Sequence, residues 1–86
     1  MPTISQFYGI AIRMFFGDHA PPHFHAVYGA AQATIDIDAL RVLEGSLPRR
    51  AQELVLDWAE LHRRELLENW KLCAGKQQPR KVDPLA

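Results

Sequence analysis

Residues 8–16 read Tyr-Gly-Ile-Ala-Ile-Arg-Met-Phe-Phe, and the alternation of large and small or polar side chains in this stretch decides the fold class. A period of two places every second side chain on the same face of an extended strand. The longer run over residues 3–16 therefore predicts β structure. One face of this strand carries the larger side chains, which are those of Tyr8, Ile10, Ile12, Met14 and Phe16.

Further extended segments follow towards the C-terminus. Turn residues at 17–22 end the first predicted strand. Residues 23–28 resume an extended pattern, residues 32–38 alternate again, and residues 41–44 read as a short fourth strand that Gly45 ends. Short links of this kind favour an antiparallel meander, here with three or four strands.

The C-terminal half predicts one long helix over residues 47–74. Pro48 suits the first turn of a helix, and Gly75 suits its C-terminal stop. The sequence leaves open whether the helix bends near His62. The tail over residues 76–86 either docks as an edge strand or is loose. The expected fold class is α+β, with the meander packed against this helix.

Length and composition restrict the class of protein. With 86 residues, the chain suffices for a single domain over residues 1–86. Ten basic and ten acidic residues give zero formal charge, which argues against strong non-specific binding to nucleic acid. Cys73 is the single cysteine, so an internal disulfide is excluded. No signal-peptide pattern and no apolar run of about 18 residues is present. We therefore expect a cytoplasmic protein without a membrane partner.

Three histidines lie within seven residues, in the segment Asp18-His-Ala-Pro-Pro-His-Phe-His25. His23 and His25 are two apart on a predicted strand, so their side chains leave the same face about 6.5–7 Å apart at Cα. His19 lies in the preceding turn, within reach of the same place. Three interpretations stay open: structural histidines, an acid–base pair, or His19, His23 and His25 as ligands of zinc or another transition metal.

Polar residues also lie at the centre of the apolar stripe of the predicted helix. At about 100° per residue, His62 and Asn69 fall near the middle of the stripe, with Glu65 between them. A buried polar group without a hydrogen-bond partner costs about 1–3 kcal/mol. We therefore expect these side chains to face His23 and His25 across a cleft. The alternative is a core histidine whose neighbours lie on the surface.

The motifs Asp18-His-x-Pro-Pro-His-Phe-His25 and Trp58-Ala-Glu-Leu-His-Arg-x-Glu-Leu-Leu-Glu-Asn-Trp70 resemble those of a small bacterial family of unknown function, DUF4160. The resemblance covers almost the whole chain, from Pro2 to about Leu85. It implies one half of a two-gene unit that is similar to type II toxin–antitoxin modules, with a small cognate protein encoded by the adjacent gene. It implies no catalytic role for any position.

The leading functional expectation is a toxin-like component of a type II toxin–antitoxin pair that acts as a metal-independent ribonuclease without a cofactor. The candidate residues are polar or titratable: catalytic His23, His25, His62 and Glu65, and substrate-binding His19, Arg13 and Asn69. An arginine would neutralise the charge that develops at phosphorus. The alternative is a non-enzymatic metal-binding or regulatory partner protein. The expected partners are the cognate protein, RNA and a second copy of the chain.

Overall fold

The computed structural model describes residues 2–86 and has an α+β architecture. The strands are β1 Thr3–Phe7, β2 Ile10–Arg13, β3 His23–Tyr28, β4 Ala31–Asp36 and β5 Val42–Ser46, and the helices are α1 Arg49–Leu61 and α2 Arg63–Ala74. All neighbouring strands pair antiparallel in chain order. The α+β class and the meander are confirmed, but the sheet has five strands rather than three or four, and two helices replace the single helix.

The predicted first strand is in fact two strands, because the chain reverses at Tyr8 and Gly9. Both residues have positive φ, 50° and 79°, as in the type I′ turns that join antiparallel strands. Phe7 pairs with Ile10 across this turn. Because Phe7 and Ile10 share a face, the phase of the alternation shifts by one residue at the turn, and Tyr8 is exposed although it lies two residues before the buried Ile10.

One face of the sheet packs against the helices around Trp58. Its ring centroid lies 5.3 Å from that of Phe7 and 5.9 Å from that of Phe24. The other fully buried apolar side chains come from the sheet and from both helices: Ile4, Ile10, Ile12, Met14, Ala26, Ile35, Ile37, Val55, Ala59, Leu66 and Cys73. Of the face that the alternation predicts, Ile10, Ile12 and Met14 are buried, but Tyr8 and Phe16 are exposed. Both exposed residues lie outside the strands, Tyr8 in the turn before β2 and Phe16 in the loop after it. Neither helix in the described part of the chain is long and apolar enough to cross a membrane.

The two helices meet at His62, whose backbone leaves the helical region with φ −118° and ψ 22°. Its N–H still donates to the carbonyls of Trp58 and Ala59, at 3.2 Å each. The chain therefore bends at the position where a bend was left open. No glycine or proline lies at this point.

The C-terminal tail docks on the body of the domain. The Val82 N–H donates to the Ile4 carbonyl at 2.8 Å, and Trp58 Nε1 donates to the Asp83 carbonyl at 2.7 Å. The Asn69 amide holds the Arg80 backbone with two hydrogen bonds of 2.8 Å. The tail therefore lies along β1 but forms no additional strand.

Gly45 was predicted to end the last strand, but it lies inside β5 with φ +75°, and a Cβ there would overlap the Gln32 carbonyl. Gly29 has φ +59° but open space around it. We expect Gly45→Ala to lower the free energy of unfolding by about 3 kcal/mol, from backbone strain plus overlap, and Gly29→Ala by about 1 kcal/mol from strain alone. Urea denaturation measures both; equal losses would contradict the steric contribution.

Candidate functional site

The loop between β2 and β3 is held against α2 and β4. The Gly17 N–H donates to the Cys73 carbonyl at the end of α2 (3.0 Å), and the Ile37 N–H donates to the Pro22 carbonyl (3.0 Å). Gly17 has φ +66°, which lets the chain turn towards the helix. These two anchors fix the position of Asp18, which lies between them.

Asp18, His23 and His25 form a compact cluster, which we call the triad. Asp18 Oδ2 lies 2.9 Å from His23 Nε2 and 3.4 Å from His25 Nε2. The two imidazole centroids are 5.2 Å apart, with an interplanar angle of 76°. One ligand atom from each residue lies within 4.8 Å of the other two. Two ring nitrogens therefore converge on a single carboxylate oxygen.

The His23 ring is fixed at both nitrogens. Nδ1 donates to the Pro21 carbonyl at 2.7 Å, while Nε2 faces Asp18. The ring is only 9% exposed and packs 5.0 Å from the ring of Trp70 on α2. A carbonyl and a carboxylate can only accept, so both ring nitrogens of His23 face acceptors. Nδ1–H donating to a carbonyl is the usual support of a metal-binding histidine, and it leaves Nε2 as the atom that would bind a cation.

His25 lies in a row of side chains that crosses the polar face of the sheet. The strand register pairs Arg13 with His25, His25 with Thr34, and Thr34 with Glu44. Directly paired residues of antiparallel strands point to the same face. The ring of Phe15 packs edge-on against that of His25, with centroids 4.3 Å apart. His25 thus has a basic residue on one side of its row and an acidic residue on the other.

Burial and hydrogen bonding shift the pKa values of two triad members. Burial alone raises the pKa of Asp18, but hydrogen bonds from the His19 backbone N–H and from both triad rings outweigh it and hold this pKa below its ordinary value. Burial lowers the pKa of His25, more than the hydrogen bond to Asp18 raises it. At neutral pH Asp18 is therefore a carboxylate and His25 a neutral imidazole, which are the forms that bind metals.

The lowered pKa of His25 makes stability depend on pH. The unfolded chain takes up this proton near pH 6.5 and the folded chain only at lower pH, so the free energy of unfolding falls as the pH drops below 6.5. We expect His25→Asn to flatten this slope between about pH 7 and 5. Denaturant titrations at stepped pH measure it. His19→Asn is the control, and a slope that survives His25→Asn would disprove the assignment.

The structure confirms one part of the predicted site geometry. His23 and His25 share a face, while the intervening Phe24 and the following Ala26 are in the core. His19 is exposed and lies outside the triad. Asp18 takes the place that the predicted metal set gave to His19, because the turn directs its carboxylate, rather than the imidazole of His19, towards the other two ligands.

The predicted cleft between the helix and the histidine pair is wrong. His62 Nδ1 lies 2.6 Å from Glu65 Oε1, and the His62 ring packs 5.4 Å from that of Trp58. Asn69 binds the tail instead. The residue that α2 does bring to the histidines is Trp70, one position beyond Asn69. Its place in the helix motif was visible in the sequence, but nothing in the pattern indicated its contact with His23.

Comparison with known proteins gives one match. The family model described as Domain of unknown function (DUF4160) matches residues 9–71. This span contains the whole triad, Trp70, all of α1 and α2 up to Lys71, three residues before its end. No curated protein and no solved structure matches the chain.

Proposed function

The chain belongs to DUF4160, a family of domains of unknown function, and we propose that it is a metal-binding module in which the triad holds one divalent transition metal. The convergence of Asp18 Oδ2 with the Nε2 atoms of His23 and His25 carries this proposal. Bonds of about 2.0–2.1 Å from a metal to nitrogen and oxygen require neighbouring ligand atoms to be roughly 3 Å apart. The separations of 2.9 and 3.4 Å from Asp18 Oδ2 suit that requirement, and all three ligand atoms lie within 4.8 Å of one another.

The chemistry of the triad favours a particular class of metal. Two imidazoles and one carboxylate suit zinc and iron(II), whereas calcium and magnesium prefer sites made of oxygen ligands. Three protein ligands leave at least one coordination position for water or for another molecule. The triad is therefore an open site rather than a closed structural one, and the fold does not depend on it for its core.

Metal titration of the full chain tests this proposal. After treatment with a chelator, we expect the protein to bind Zn²⁺ or Co²⁺ with a stoichiometry of one, measured by calorimetry and by the visible spectrum of Co²⁺. His25→Asn should weaken the affinity by about 100-fold, since even a supporting residue of a metal site is worth about 10- to 100-fold. His19→Asn removes a histidine from the same loop and should have no effect. Wild-type protein without saturable binding, or equal losses in both variants, would overturn the proposal.

A second candidate function rests on a different observation. The rings of His23 and His25 are 5.2 Å apart, and Arg13 is the cross-strand neighbour of His25. A base, an acid and a cation are the parts that metal-independent RNA cleavage requires. We infer from this geometry a metal-independent ribonuclease. A toxin-like role beside a cognate protein of the adjacent gene is what the family resemblance implies for it. RNA cleavage that persists in chelator and is lost in Arg13→Gln supports this function; cleavage that chelator abolishes opposes it.

A further inference from the structure

A cleft of about 400 Å³ on the polar face of the sheet adjoins the triad. Its principal lining residues are Phe15, His25, Gln32, Thr34 and Glu44. Of these, only His25 belongs to the triad, so the other side chains have no part in metal binding. We propose that this cleft binds a guanine nucleotide, with the base against Phe15 and Glu44 and the phosphate at Arg13.

The charge of Glu44 decides which part of the ligand lies at its end of the cleft. Glu44 is the one formally charged side chain among the described residues that line it, and no described ion pair includes Glu44. A carboxylate accepts hydrogen bonds and donates none. The ligand group that lies there therefore carries donors, and a phosphate is excluded from this end of the cleft.

The two neighbouring acceptor oxygens of the Glu44 carboxylate favour a base that presents two neighbouring donors. Guanine presents a ring N–H and an amino group next to each other, so one carboxylate accepts from both. Adenine and cytosine place a single amino donor beside a ring acceptor, and uracil has one ring N–H between two acceptors. Phe15 supplies an aromatic surface of the kind on which unstacked bases pack. The hydroxyl of Thr34 and the amide of Gln32 can meet the remaining polar atoms of the base.

The strand register indicates where the phosphate of the nucleotide would bind. Glu44, Thr34, His25 and Arg13 succeed one another on four adjacent strands, with about 4.8 Å between neighbouring strands. Arg13 does not line the cleft itself but lies beside it in the row, beyond His25 and at the opposite end from Glu44. A guanidinium pairs with phosphate through two parallel hydrogen bonds. The row therefore presents a base acceptor at one end and a phosphate donor at the other.

Nucleotide titrations of the full chain in chelator test the inference. Heteronuclear NMR spectra are recorded with GMP, AMP, CMP, UMP and guanosine. We expect GMP to bind roughly tenfold or more tightly than UMP, and guanosine to bind more weakly than GMP. Glu44→Gln should remove the preference for guanine. Arg13→Gln should remove the difference between GMP and guanosine. Glu60→Gln, an exposed glutamate on α1, is the control.

Nucleotide binding in this cleft is separate from the proposed metal binding and does not require a metal in the triad. Asp18→Asn breaks the triad but leaves every principal lining residue of the cleft in place, so it should abolish metal binding and preserve GMP binding. Equal affinity for all four nucleotides, an unchanged guanine preference in Glu44→Gln, or no saturable binding of any of them would each overturn the nucleotide site. None of these results would bear on the metal titration.

Discussion

Asp18→Asn is expected to weaken metal affinity by about 100-fold or more and to abolish the stabilisation of the domain by metal. Asp18 is the central ligand, because its Oδ2 contacts both His23 and His25. The carboxylate is ionised at neutral pH, since its pKa lies below the ordinary value. An asparagine of the same shape has no negative charge. It offers one acceptor oxygen, and the amide nitrogen that replaces the other oxygen cannot bind a metal or accept a hydrogen bond.

The effect is measured by denaturation with and without excess Zn²⁺. A metal at about 100 times its dissociation constant stabilises the folded state by about 2.7 kcal/mol, and this gain should be missing in Asp18→Asn. In chelator the same variant should lose about 2 kcal/mol, because it weakens charge-assisted hydrogen bonds. Asp38→Asn changes an exposed carboxylate and is the matched control. A full metal-dependent gain in Asp18→Asn would leave the triad without a role in metal binding.

The alternation along the chain was sufficient to group Ile10, Ile12 and Met14, which are buried because an antiparallel sheet with one covered face imposes that pattern. It also grouped the exposed Tyr8 and Phe16 with them, because the period does not show where a strand begins and ends. The hairpin at Tyr8 and Gly9 was missed although Phe7 and Ile10, three residues apart on one face, interrupt the period of two. Gly9 was the available signal, but Tyr8 is not among the Asn, Asp and Gly residues that type I′ turns favour before it.

The prediction that the buried polar side chain of Asn69 needs hydrogen-bond partners was correct, but the predicted location of those partners was wrong. A buried amide must find hydrogen-bond partners, and Asn69 finds them in the backbone of Arg80 rather than in the histidine pair. The tail supplies those partners from 11 residues away in the chain. Sequence periodicity describes which face of a helix is buried, but it does not tell which segment covers that face.

The third member of the triad, Asp18, shows the same limit of prediction from sequence. His23 and His25 could be paired from strand geometry alone, because residues two apart share a face. Which of Asp18 and His19 joins them depends on the turn between β2 and β3. That turn is set by long-range hydrogen bonds of Gly17 to Cys73 and of Ile37 to Pro22. Contacts between distant segments leave no local pattern in the sequence.

Trp58→Ala should cost more stability than any other substitution considered above, about 3–5 kcal/mol. The side chain is fully buried, and its ring packs against Phe7 of β1 and Phe24 of β3. Its Nε1 donates to the Asp83 carbonyl, so truncation also leaves a carbonyl of the tail without its partner. The whole domain is expected to have about 4–13 kcal/mol of stability, since folded proteins have roughly 0.05–0.15 kcal/mol per residue.

The loss should therefore remove a large part of the stability of the domain, and it should release the tail at the same time. Urea denaturation followed by circular dichroism measures the first effect, and the amide signals of Val82 and Asp83 report the second. Trp58→Phe keeps the aromatic packing but not the donor, so we expect a loss of about 1–2 kcal/mol. Leu61→Ala, at 71% exposure on the same helix, should change stability by less than about 0.5 kcal/mol. If Trp58→Ala and Leu61→Ala were equally stable, the sheet, helix and tail would not be joined through this ring.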